Sequence, residues 1–174
     1  MPQVALDTSF LISFADPERP NHPVALEYYH HCRARNIPMW LSVIAAGEFH
    51  VKQPAAHLPL HTLRLLPYNL PHAMRAAEFR RALDDGDESV AKEKRTVIVN
   101  DLKIIAQAHE EGIPFILTED EATLTRVLER LRKKKIAFIH TLLLKDGFIP
   151  SRLTEPSQPE LPLLHRSSGK KIRL

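Results

Sequence analysis

Glycine, cysteine and tryptophan are scarce in this 174-residue chain, which holds five, one and one of them. The glycines (Gly47, Gly86, Gly112, Gly147 and Gly169) stand singly, so no phosphate-cradling loop of the P-loop or dinucleotide type can be assembled. A lone Cys32 excludes a disulfide framework and a thiolate zinc cluster, and it suits a reducing compartment. No apolar run approaches the ~18 residues of a membrane-spanning helix. The opening MPQVALDTSF lacks the basic stretch and long apolar run of a secretory signal. The expectation is a cytoplasmic protein with no membrane partner. Also missing are a GxSxG nucleophile elbow, an HExxH zinc helix despite ten histidines, and a DxDx[TV] phosphatase opening. The DDGDE run around Gly86 lacks the acid spacing of a calcium loop and reads as surface.

What is present is the composition of a globular domain, 44% hydrophobic and 26% charged. Net charge is only +3, yet it is unevenly spread. From Arg132 onward there are ten basic and three acidic residues, net +7, which leaves Met1 to Leu131 with 14 basic and 18 acidic, net −4. An acidic body with a basic flank suits a protein that gathers divalent cations and touches polyanions, although a solvated surface gives the same count. Four of the fourteen prolines fall in the last 25 residues. The division predicted is a domain over 1–149 and a proline-rich basic arm over 150–174.

Along the domain, β-like and helical patterns alternate. Strands are predicted at Gln3–Leu6, Met39–Ser42, Thr62–Leu66, Phe115–Thr118 and Ile136–His140. Helices are predicted at Pro23–Arg35, Val43–Lys52, Pro71–Leu83, Thr96–Glu110 (stopped near Gly112) and Glu121–Arg132. Asp84–Arg95 reads as a polar loop. The alternation predicts an α/β domain with a largely parallel sheet.

Four carboxylates stand where solvent does not explain them. Asp7 directly follows the apolar run VAL, and Asp120 comes two residues after FILT. Both fall at the carboxyl ends of predicted strands, where open α/β sheets bind ligands. Glu48 is spaced i+4 from Ile44 and i−3 from Val51, and Asp101 is i+3 from Ile98 and i−4 from Ile105, so both share helix faces with apolar side chains. Each acid alone has an ordinary reading, as a helix N-cap or an arginine partner. Four together need compensating charge, because burying an ionised carboxylate costs several kcal/mol. An oxygen-only donor set suits Mg²⁺ or Mn²⁺ better than zinc, and such ions serve phosphodiester hydrolysis. Arg126, Arg130, Lys133 and Lys134 line the polar side of the Glu121 helix and could hold phosphates, or form a solvated face. Trp40 and Phe115 sit in strands and read as core.

VALDTSFLISF, VIAAGEFHV and VNDLKIIAQAHEEGIPFILTED resemble the three sequence blocks of PIN-domain nucleases, and the resemblance runs from Gln3 to His140. The third block is the most specific, since acid, small-residue helix, glycine turn and a strand ending in T-x-D occur in order. The resemblance implies a central parallel sheet flanked by helices, and a catalytic, metal-binding quartet of Asp7, Glu48, Asp101 and Asp120. Ser9 and Thr118 match hydroxyls that lie near the metal or its waters. It further implies a Mg²⁺- or Mn²⁺-dependent endoribonuclease acting on RNA, in many members the toxin of a toxin–antitoxin pair, often homodimeric. The alternative is a non-catalytic module that binds RNA or protein. The sequence departs from the compact toxins in its proline-rich tail, its 84–95 loop and the EATL that follows Asp120.

Overall fold

In the computed structural model of the chain, the described residues are 2–84 and 92–153, with positions 84 and 92–98 described by backbone alone. Five strands, β1 (Val4–Leu6), β2 (Met39–Ser42), β3 (Arg64–Leu66), β4 (Phe115–Thr118) and β5 (His140–Leu143), form one sheet. Its order is β3-β2-β1-β4-β5, and every pairing is parallel. Six α-helices flank it: α1 (Thr8–Ala15), α2 (His22–Ala34), α3 (Val43–Lys52), α4 (Leu70–Asp84), α5 (Lys92–Glu110) and α6 (Arg126–Lys133).

Strand side chains alternate between two apolar layers, as the period of two requires. Val4, Leu6, Leu41 and Leu117 pack with Phe10, Tyr28 and Phe49 of α1–α3. Ala5 and Ile116 pack with Phe79 of α4, Ile105 of α5 and Leu128 of α6. Because both faces are covered, the central strands read as unbroken apolar runs. The chain leaves β1 for β2 and β3, then returns to place β4 on the other side of β1. The carboxyl ends of β1 and β4 therefore form the topological switch point of the sheet, where crossover connections diverge and leave a crevice.

At the opposite edge, three helices close in the same way. Asn36, Gly112 and Lys135 adopt positive φ (53°, 63° and 60°) just past α2, α5 and α6. Behind each comes an isoleucine whose amide reaches five residues back: Ile37 to Cys32 O at 2.8 Å, Ile113 to Ala108 O at 2.8 Å and Ile136 to Leu131 O at 3.1 Å. These are Schellman closures, in which a left-handed residue lets the chain turn back and satisfy a terminal carbonyl. In the sequence they appear as NIP, GIP and KIA, each running toward a strand.

Several expectations need correction. The sequence patterns assign no element to 8–15, where TSFLISFA forms helix α1, capped by Asp7 and starting one residue after β1; its apolar residues show no one-sided period from which a helix could be read. The last strand is His140–Leu143, not Ile136–His140, because its partner β4 begins only at Phe115, opposite His140. Residues 136–139 form the approach to that pairing. The helix predicted over 121–132 opens as a π turn, Glu121–Thr125, before α6. Of the 84–95 loop, Asp84 ends α4 and residues 92–95 begin α5, while 85–91 lie outside the described residues. The first residues of the predicted arm, Pro150–Leu153, form a 3-10 turn that buries Leu153 in the α1–α3 layer; 154–174 lie outside the described residues. No helix among the described residues is long and apolar enough to cross a membrane.

Candidate metal centre

The register of β1 and β4 brings Leu6 opposite Leu117, so the next residues, Asp7 and Thr118, emerge side by side. Asp7 N bonds Leu117 O at 3.1 Å, and the Asp7 side chain turns in to cap α1. Its Oδ2 accepts from Ser9 Oγ (2.6 Å), Thr118 Oγ1 (2.8 Å) and, more weakly, Ser9 N (3.3 Å). Both hydroxyls can spend their protons on Asp7 because each has a backbone donor behind it. Glu119 N donates to Ser9 Oγ at 2.8 Å and Asp120 N to Thr118 Oγ1 at 2.9 Å. Burial raises the Asp7 pKa above its ordinary value despite these donors, which pull it down. The two hydroxyls singled out in the sequence thus hold one carboxylate in place.

Asp101 comes from the middle of α5, next to Asn100, whose side chain reaches Glu48. It is buried, and its Oδ2 has no hydrogen-bond partner. Burial, followed by the charge of Asp7 and then those of Asp120 and Glu48, pushes its pKa up to about 7; the nearby Thr123 hydroxyl offsets part of this. A buried carboxylate oxygen without a donor is costly, and three further acids make this one costlier.

Glu48 is half-buried on α3, but only partly for the expected reason. Ile44 packs against the core as expected, but Val51 is 86% exposed, so the apolar face does not extend past Glu48 on that side. It is held by polar partners, Oε2 accepting from Thr8 Oγ1 at 2.5 Å and Oε1 from Asn100 Nδ2 at 2.7 Å. Asp120 folds back onto the turn it opens. Thr123 N (2.8 Å) and Leu124 N (3.3 Å) donate to it, as does the Thr123 hydroxyl, while its carbonyl accepts from Thr125 N at 3.2 Å, which gives the wide π turn.

The quartet is therefore assembled at one sheet edge, and its members feel one another's charge. As the side chains stand, no three His, Cys, Asp or Glu among the described residues converge closely enough to share one ion. Asp7, Glu48 and Asp120 are turned into the local hydrogen bonds just described. The donor set still fits a hard cation: it is all oxygen, and Asp101 offers a buried oxygen that nothing else satisfies.

The basic residues are not gathered here. Arg130 donates to Leu83 O at 3.0 Å and so secures the end of α4. Lys133 and Lys134 are exposed at the far end of α6, where Lys133 lines a shallow hollow with Glu129, Arg132 and Phe138. Only Arg126, exposed at the start of α6, stands on the end of that helix nearer the acids. Sequence reasoning missed Thr8, Asn100 and Thr123. Thr123 had a signal, the D-x-x-T spacing of a capped turn, and Thr8 stands next to Asp7.

Several solved structures share the fold of this chain at low identity. VapBC from Salmonella typhimurium bound to DNA matches at 19% identity and a TM-score of 0.53, over 83% of this chain and 99% of that one. VapBC2 from Rickettsia felis, bound to a DNA fragment from its promoter, gives 15% and 0.53 over 80% and 98%. VapC20 of Mycobacterium tuberculosis, described as a sarcin–ricin loop cleaving toxin, gives 18% and 0.50 over 69% and 92%. No curated protein sequence matches the chain. The family model for the PIN domain matches residues 4–134, three quarters of the chain and all four edge carboxylates, and the chain belongs to the PIN domain family.

Proposed function

We propose that this protein is a metal-dependent endoribonuclease whose centre is the quartet Asp7, Glu48, Asp101 and Asp120. The observation that carries the reading is the Asp101 oxygen, buried without a partner among three other acids. A pure binding module has no evident need for that cost, whereas a cation centre does. Mg²⁺ or Mn²⁺, when bound, supplies Lewis acidity for water attack on a phosphodiester. The chain's own part is positional. Ser9 and Thr118 fix Asp7, Thr8 and Asn100 fix Glu48, and α5 lays Asp101 across the edge. No side-chain nucleophile is required.

RNA as substrate is the reading supported by the likeness to a structure described as a sarcin–ricin loop cleaving toxin. The two VapBC complexes support a second element of the proposal, an antitoxin protein as partner. The test is cleavage of a pooled RNA by the purified chain with Mn²⁺, with EDTA, and with Asp7→Asn. Cleavage should need Mn²⁺ and fall at least ~10²-fold in the variant. An undiminished Asp7→Asn enzyme, or a wild-type chain that cuts no RNA, would remove the assignment.

A further inference from the structure

One amide away from Glu48 stands a basic side chain that pairs with no acid among the described residues. Lys103 stands on α5 one turn after Asn100, half-buried, and its Nζ donates to Asn100 Oδ1 at 3.3 Å. The other end of that amide donates to Glu48 at 2.7 Å. Elsewhere Arg19, Arg75, Lys145 and Arg152 each pair with a carboxylate. Lys103 pairs with none among the described residues, although Glu48 is one amide away. Helix side chains lean toward the N-terminus, which from Lys103 is the direction of Asn100 and Asp101. The ammonium is thus drawn back toward the quartet, to the level of Asn100.

A cleft with four carboxylates repels a polyanion, so a substrate phosphate needs a cation that those carboxylates have not neutralised. An amide between Lys103 and Glu48 keeps the two charges apart, because its oxygen takes the ammonium while its nitrogen takes the carboxylate. We propose that Lys103 binds a backbone phosphate of single-stranded RNA at this edge, with Asn100 as the positioning residue that holds Lys103 and Glu48 in separate places. The proposal rests on the nuclease reading for its substrate, and it is tested separately.

The experiment is fluorescence anisotropy of a labelled single-stranded RNA oligonucleotide against the full chain in EDTA, over a series of KCl concentrations. It compares wild type, Lys103→Gln and Lys103→Arg, beside the Mn²⁺ cleavage assay. Lys103→Gln should weaken binding about tenfold and lower the slope of log affinity against log salt by ~0.7, the loss of one contact to a single strand. Lys103→Arg should keep both near wild type. A Gln variant with wild-type affinity and slope overturns the contact, as does a wild-type chain that binds no RNA. RNA binding that depends on Lys103 without any cleavage would sink the nuclease reading and leave the contact. Cleavage with an indifferent Lys103→Gln would do the reverse.

Discussion

The two edges of the sheet are built from the same strands by opposite rules. At the amino edge, α2, α5 and α6 end in three Schellman closures, and Val4 N and His140 N find Pro38 O and Pro114 O at 3.0 and 2.9 Å. Trp40 Nε1 reaches Gln3 Oε1 at 2.8 Å. In these closures each polar group meets a neutral partner, as a fold selected for stability alone would arrange it. At the carboxyl edge, four acids feel one another's charge, the buried Asp101 Oδ2 has no hydrogen-bond partner and the Asp101 pKa is pushed up to about 7. The proposed cation centre accounts for such a cost at one edge beside the neutral closures at the other. That contrast is hidden in the overall charge of +3, which averages it away.

The contrast is sharpened first at Asp101, where the largest stability effect is expected. Its folded-state pKa of about 7 lies above the ordinary 3.8. Its protonated form therefore favours folding at low pH, and this contribution is lost as pH rises from ~4 through ~7. In EDTA, Asp101→Asn should gain stability relative to wild type across that window, on the order of a few kcal/mol, and level off above it. Urea unfolding of both proteins at several pH values checks this. A pH-independent difference would mean that Asp101 carries no such burden.

A smaller effect is expected at the amino edge, where only backbone geometry is in play. Gly112→Ala should cost about 1 kcal/mol, since the position has open space but a φ of 63°. Lys135→Gly should gain about 1 kcal/mol at the equivalent turn, where a lysine holds φ 60°. Neither should change RNA cleavage. Loss of activity in Gly112→Ala with the fold intact would break the separation between the edges.

Where residues obey a local rule, the sequence was legible. β2, α3 and β4 fall at their predicted bounds, because apolar runs and a Ser42 cap mark them. The end of α5 follows from Gly112. Asp7 and Asp120 were readable as strand-end acids, and the structure brings both to the switch point. What failed depended on tertiary partners. α1 is apolar over most of its length because it packs between the sheet and its neighbours, so it lacks a one-sided stripe. β5 is placed by where β4 begins and not by its own pattern. Glu48 stands out through Ile44 and Val51, of which Ile44 packs against the core while Val51 is exposed; its side chain is held by Thr8 and Asn100, one of them forty and the other fifty-two residues away, and no spacing could reveal them.

The most direct test of the central claim, that the carboxyl edge is a cation centre, is thermal unfolding with increasing Mn²⁺ at ~pH 7.5, for wild type and Asp101→Asn. Wild type should rise by about 5 °C or more at millimolar Mn²⁺, as binding to the folded state alone requires, and Asp101→Asn should stay nearly flat. A wild-type midpoint that ignores Mn²⁺, or a variant that rises equally, would contradict the account.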